Sequence, residues 1–208
     1  MPAPVVNHLL RTLAAAPPDQ RVLLRGPAGD GRAGDGRVAH PLARLGFEVH
    51  AAPWTDDAAR RVQEAVQAER AEPTGASAGA EAASSGEAQT APVYATAAPL
   101  GALPYPEGHF GWVVVRGPAD GEGAPAVQEA SPAGQWQALL EEARHYLRPG
   151  GWVFVMAALV EEEDGGASPE VLDRAAEQAQ LAEAEAPEHT EAGALHAIYR
   201  RVEADTPR

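Results

Sequence analysis

The chain has 208 residues, enough for one α/β domain with a real core and short for two. It carries 30 acidic against 16 basic side chains, a formal net charge of −14, and every basic residue is an arginine; so acidic a surface repels nucleic-acid phosphates and anionic lipid, which makes both poor partners. The absence of cysteine excludes disulfides and thiolate metal sites, and the absence of lysine excludes a P-loop nucleotide hydrolase.

The acidity reads as a general surface habit rather than a docking face for one cationic partner. No apolar run approaches the roughly 20 residues that span a bilayer. The start, Met1-Pro-Ala-Pro-Val-Val-Asn-His8, lacks the basic opening and apolar core of a secretory signal. The expected location is cytoplasmic.

In chain order, Val5 to Ala16 reads as a short amphipathic helix with Val5, Val6, Leu9, Leu10 and Leu13 on one face, ended by Pro17-Pro18-Asp19. Arg21 to Leu24 is an apolar run of strand length, and a glycine-rich stretch follows from Gly26 to Gly36. A helix is expected over Val38–Leu45 with Gly46 as its C-terminal cap, then a second strand over Phe47–Ala52. Thr55 is placed to cap a helix over Asp56–Ala71. Residues 72–92 hold no large apolar side chain that could order them and read as a flexible insertion.

Val93 to Ala97 is a weak third strand and Trp112 to Val115 a strong fourth, with a second loose insertion over 116–132. A helix over Ala133–Leu147 stops at Arg148-Pro-Gly-Gly151 before a fifth strand, Trp152–Ala157. The run Glu161-Glu-Glu-Asp164 belongs to a solvated loop, and Pro169 suits the first turn of a last helix, Pro169–Ala179. Leu181–Ala184 and Leu195–Val202 are expected to pair as an antiparallel hairpin around Gly193. Strands alternating with helices imply a parallel sheet with right-handed crossovers.

Two stretches carry more than periodicity: Leu103-Pro-Tyr-Pro-Glu-Gly-His-Phe-Gly-Trp-Val-Val-Val115 and Leu139-Leu-Glu-Glu-Ala-Arg-His-Tyr-Leu-Arg-Pro-Gly-Gly-Trp-Val-Phe-Val155. They resemble the second half of class I S-adenosylmethionine-dependent methyltransferases of the type 11 kind, where an "LPFP…FD" loop enters a buried strand and a helix ending "LRPGG" feeds the next. The resemblance covers nearly the whole chain. It implies a doubly wound α/β fold with a mostly parallel seven-stranded sheet and an antiparallel C-terminal hairpin, as a single domain over 1–208. It also implies S-adenosylmethionine as cofactor and a small-molecule methyl acceptor.

In that family a glycine loop follows the first strand, so that the backbone meets the ligand with no Cβ in the way. Here Ala28-Gly-Asp-Gly-Arg32 is repeated at once as Ala33-Gly-Asp-Gly-Arg37, a tandem copy of the loop itself. The resemblance therefore assigns cofactor contacts to Gly26, Gly29, Asp30 and Gly31, with Gly34 and Gly36 as alternatives to the last glycines. It adds Trp54 as a wall for the adenine, and Ala98 and Leu103 after the third strand. The sequence departs from the family pattern at three acidic positions, which are occupied by Leu24, Pro53 and Ala98. Asp56 or Asp57 can substitute for the ribose acceptor only if the turn is rearranged. A missing acceptor that leaves a buried hydroxyl unpaired costs about 1–3 kcal/mol.

Other sites carry weaker signals. The Gly26–Gly36 loop loosely matches a dinucleotide fingerprint, against which Pro53 counts equally. His8, His50 and His196 read as packing residues, His40 opens a helix near the glycine loop, and His109 precedes the fourth strand. None shows metal-ligand spacing, so no metal is expected. Trp112, Trp136 and Trp152 read as core, whereas Trp54, Tyr105 and Phe110 are expected at the carboxyl ends of strands, where such sheets bind ligands. Methyl transfer needs no dedicated base, so no catalytic residue is singled out. The alternative is a non-catalytic relative that has lost the cofactor and serves as an interaction module, as a homodimer.

Overall fold

A computed structural model describes residues 3–17, 20–26, 36–71, 90–117, 131–158, 168–189 and 194–202. Its strands are β1 (Arg21–Arg25), β2 (Glu48–Ala52), β3 (Val93–Ala95), β4 (Phe110–Arg116), β5 (Leu147–Ala158), β6 (Leu181–His189) and β7 (Ala194–Arg201). Its helices are α1 (Ala3–Ala14), α2 (Gly36–Arg44), α3 (Asp56–Ala71), α4 (Pro132–Tyr146) and α5 (Pro169–Gln178). The strands form one sheet in the order β3-β2-β1-β4-β5-β7-β6. All neighbours run parallel up to β5, and β7 is antiparallel to both β5 and β6. This is the expected doubly wound architecture with its closing hairpin.

Period-two alternation divides the core. Val22 and Leu24 of β1 join Val49, Val114 and Phe154 on one face, packed under Val5, Leu9 and Leu13 of α1, Val38 and Leu42 of α2, and Val62 and Val66 of α3. Leu23, Val113, Val115, Val153 and Val155 face the other way onto Trp136, Leu139 and Leu140 of α4 and Leu172, Ala175 and Ala176 of α5. Strands covered on both faces read as continuous apolar runs, which is why Val22–Leu24 and Trp112–Val115 stand out in the sequence.

Caps fix the helix starts. Thr55 Oγ1 accepts from Ala58 N at 3.3 Å, as expected, while Ser131 and Ser168 cap α4 and α5 with Pro132 and Pro169 in the first turn. Arg116 is the last residue of β4 and Pro132 the first of α4, so the stretch expected to be loose begins and ends in regular structure; residues 118–130 lie outside the described part. Of residues 72–92, expected as an insertion, 72–89 lie outside the described part, and at the far end Val49 N donates to Pro92 O at 3.0 Å.

Several boundaries differ from expectation, among them three in the sheet. β3 has only three residues, and β6 runs on to His189 because its pairing with β7 continues past two register shifts. β5 starts at Leu147 rather than Trp152: Leu147 pairs with Phe110, a register shift intervenes, and regular pairing resumes at Trp152 opposite Trp112. Arg148-Pro-Gly-Gly151 is thus an irregular stretch of strand, not a turn outside it.

α1 lies against the β6–β7 hairpin through two histidines. The His8 and His196 rings are 4.5 Å apart, His8 Nε2 is 3.2 Å from Glu185 Oε2, and His196 Nε2 is 3.8 Å from Glu188 Oε2. His196 is a buried residue stacked on Phe154. Burial and the neighbouring His8 hold its imidazole below the ordinary value of 6.5, against the opposing pull of Glu188 and Glu185. A base whose pKa is depressed by folding gains a proton on unfolding; its contribution to stability is whole above 6.5 and is lost as pH falls below that value. The melting temperature should therefore fall between about pH 7.5 and 5.5, and His196→Gln should flatten that fall. An unchanged slope in the variant would assign the pH response to other groups.

Candidate functional site

The carboxyl ends of β1, β2 and β4, with the chain leaving β3, converge on one edge of the sheet. β1 pairs with β2 on one side and β4 on the other, so the winding direction reverses beside it. At such a switch point open α/β sheets leave a crevice for ligands.

β1 delivers Arg25 and Gly26 to this edge. Gly26 has φ 135°, and a Cβ there would lie on the Arg116 carbonyl and 3.0 Å from Arg116 Cβ, so only glycine lets β1 turn out beside β4. Arg25 faces α4 and is 1% exposed. Its Nε donates to Glu142 Oε2 at 2.6 Å and its NH2 to Glu142 Oε1 at 3.1 Å, a forked pair. Its NH1 donates to Ala52 O at 2.7 Å and Ala98 O at 2.8 Å. One guanidinium therefore joins the end of β1, the end of β2, the turn beyond β3 and α4.

The turn beyond β3 forms the rim of the crevice. Ala102 N donates to Pro99 O at 3.2 Å with Gly101 at φ 77°, the left-handed third position of a tight turn. Glu142 Oε1 accepts from Gly101 N at 2.6 Å, and Tyr146 Oη, one helical turn further along α4, donates to Leu103 O at 3.1 Å. Burial, with Glu142 nearby, pushes the Tyr146 phenol above its ordinary value, which keeps it a donor. Ala98 N donates to Pro53 O at 3.1 Å and ties the rim to the end of β2.

Trp54 stands two residues beyond β2, half-buried against the α4-side core. Its indole Nε1 is buried and has no hydrogen-bond partner among the described residues. A buried donor without an acceptor is rare and costly. Arg116, 4% exposed, ends β4 at the same edge.

Of the residues assigned from sequence, Gly26, Trp54, Ala98 and Leu103 come together here. Gly29, Asp30 and Gly31, with Gly34, lie outside the described residues. The side chains of Ala98 and Leu103 are buried in the core and their backbone groups hold the rim. Leu24 packs into the α1–α3 side, Pro53 is buried, and Asp57 turns outward to Arg60 and Arg61. Asp57 thus does not replace the ribose acceptor.

Two aromatic assignments are corrected. Phe110 opens β4 at the amino edge and is wholly buried. Tyr105 Oη is 3.1 Å from His50 Nδ1, whose Nε2 is 2.8 Å from Glu48 Oε1 at the start of β2. His109 stacks on Tyr105 at 5.5 Å. The loop from residue 96 to 109 passes down the face of β2, with no helix between β3 and β4, and so carries these rings away from the carboxyl edge. A separate groove of about 540 Å³ lies between α5 and the β6–β7 hairpin, around the Tyr199–Asp173 hydrogen bond of 3.1 Å. Among the described residues no three or more His, Asp or Glu side chains gather as a metal site, and no helix is long and apolar enough to cross a membrane.

Sequence reasoning missed Arg25 and Glu142. The available signal was an arginine closing an apolar strand, Val22-Leu-Leu-Arg25, and a glutamate on the apolar face of α4 beside Leu139 and Ala143. Each is out of place alone and explained by the other.

No family model and no curated protein sequence matches the chain. Solved structures do. A methyltransferase from Aquifex aeolicus described as S-adenosylmethionine-dependent superposes with TM-score 0.61 at 14% identity, covering 95% of this chain and 89% of that one. One from Methanosarcina mazei gives TM-score 0.60 at 10% identity, covering 90% and 95%. The [4+2]-cyclase SpnF gives 0.61 at 12% identity, covering 96% and 80%. Chains of this shape thus bear different activity names, and the shape does not by itself fix a reaction. With seven strands in this order, an antiparallel closing hairpin and these neighbours, the chain has the class I S-adenosylmethionine-dependent methyltransferase fold.

Proposed function

We propose that the chain is an S-adenosylmethionine-dependent methyltransferase for a small-molecule acceptor, with the cofactor held at the carboxyl edge of β1, β2 and β4. The observation that carries this reading is the buried, acceptorless Trp54 Nε1 beside a rim that is already built. The residues fit the cofactor by a chemistry unlike the family's. Where a carboxylate would accept from the ribose hydroxyls, Trp54 offers an N–H, and hydroxyl and carboxylate oxygens of the cofactor are acceptors for it. Gly26 leaves the backbone bare at the end of β1.

When bound, S-adenosylmethionine would supply a methyl group on a positively charged sulfur. The task left to this chain is orientation: to hold donor and acceptor in line and exclude water. Arg25, Glu142 and Tyr146 fix the strand ends and rim, and Trp54 walls the nucleoside end. With Leu24, Pro53 and Ala98 at the three positions where the family carries acids, affinity should lie in the weaker micromolar range.

The second reading, a non-catalytic member of the fold, is favoured by one observation: Leu24, Pro53 and Ala98 put apolar side chains at all three acidic positions. Titration calorimetry with S-adenosylmethionine and S-adenosylhomocysteine separates the two. Micromolar binding by the full chain, weakened about tenfold by Trp54→Phe, is the expected result. No heat at millimolar ligand would overturn the methyltransferase reading and leave the second.

A further inference from the structure

We propose that Arg25 and Glu142 are the positioning pair of this site: the charges that hold the rim ready for a nucleoside in place of carboxylates that would grip it directly. The inference rests on the reading above for its ligand, but the shape of the rim can be measured without one.

The pair is badly placed for stability alone. Two charges with side chains 1% and 4% exposed lose their water, and apolar side chains of similar volume often serve a core equally well. What apolar side chains cannot do is satisfy three backbone groups at once. Ala52 O and Ala98 O accept from the guanidinium, and Gly101 N donates to the carboxylate. Those groups belong to Ala52, the last residue of β2 in register with β1, and to the turn that borders the crevice. Tyr146, on the same face of α4 as Glu142, holds the next carbonyl of the rim. The two neighbouring side chains on α4 thus grip the rim at Gly101 and Leu103, while Arg25 fixes it to β1 and β2.

A rim held before the ligand arrives does not have to be ordered on binding, and a ligand that finds it ready binds more tightly. This explains how a chain lacking three acidic contacts keeps a usable edge. Arg25 and Glu142 touch no cofactor in this account; they act through Ala52, Ala98 and Gly101.

The test is a double substitution, Arg25→Met with Glu142→Met, which removes the pair but keeps its volume. Thermal melting should fall less than in Arg25→Met alone, the remaining loss coming from the three backbone groups left without their partners. In the unliganded protein the Gly101 amide should exchange with solvent at least about tenfold faster, while amides of β4 and β5 keep their protection. Affinity for S-adenosylhomocysteine should fall by about tenfold or more. Glu142→Gln, which keeps an acceptor for Gly101 N, should preserve the Gly101 protection. Unchanged Gly101 exchange and unchanged affinity in a folded double variant would overturn the proposal and make the pair a core element only. If the parent chain binds neither ligand, the methyltransferase reading fails by itself, and Gly101 exchange still decides whether the pair holds the rim.

Discussion

Arg25→Met alone should lower the free energy of unfolding by about 3–5 kcal/mol. The substitution leaves Glu142, with a side chain 4% exposed, as a carboxylate without its counter-charge, and it strips acceptors Ala52 O and Ala98 O of their donor. Removing one partner of a buried pair is far worse than removing both, because the surviving charge keeps its desolvation cost and loses its compensation. Adding Glu142→Met should therefore recover much of the loss, so that the second substitution stabilises the first. Urea unfolding of the parent, the single and the double variant measures this as a cycle. A single variant within about 1 kcal/mol of the parent would mean that water reaches the site and the pair is not truly buried.

Trp136→Ala should cost about 3–5 kcal/mol as well, for a different reason. Trp136 is 2% exposed and is the largest fully buried side chain of the chain's described part. It joins Leu139, Leu140 and Ala143 in seating α4 on β4 and β5, and its ring closes on Gly117, where a Cβ would collide with it. Truncation leaves a cavity that a helix anchored at Ser131 and at its far end cannot collapse to fill. Because Glu142 and Tyr146 lie on the same helix, loosening α4 should also loosen the rim, raising exchange at Gly101 along with the loss of stability. A loss below about 1 kcal/mol would contradict this packing.

Much of the architecture was legible because burial on both sheet faces writes itself as apolar runs. Val22–Leu24, Trp112–Val115 and Trp152–Ala157 are all in the sheet, and the likeness carried by Leu103–Val115 and Leu139–Val155 placed them in the right order. What failed was local. β5 takes in Arg148-Pro-Gly-Gly151 because Leu147 still pairs with Phe110 across an irregular register, and proline and glycine signal a turn whether or not a strand bends around them. Tyr105 and Phe110 were expected at the carboxyl edge, but a loop without a helix carried them along the sheet face to His50 and the amino edge.

The candidate site was legible only by its losses. The apolar residues at the three acidic positions stand plainly in the sequence; the compensating pair does not, because Arg25 and Glu142 are 117 residues apart and meet only when α4 closes over β1. Trp54 was picked for its ring, whereas its buried indole N–H is the feature the fold makes meaningful.

The most direct measurement is a titration of ¹⁵N-labelled protein with S-adenosylhomocysteine, followed through the four tryptophan indole signals and the glycine amides. The indole N–H of Trp54, assigned by its disappearance in Trp54→Phe, should move downfield as it gains an acceptor, together with Gly26 and Gly101. Shifts confined to the groove around Asp173 and Tyr199, or none at millimolar ligand, would contradict the placement of a nucleoside at the carboxyl edge.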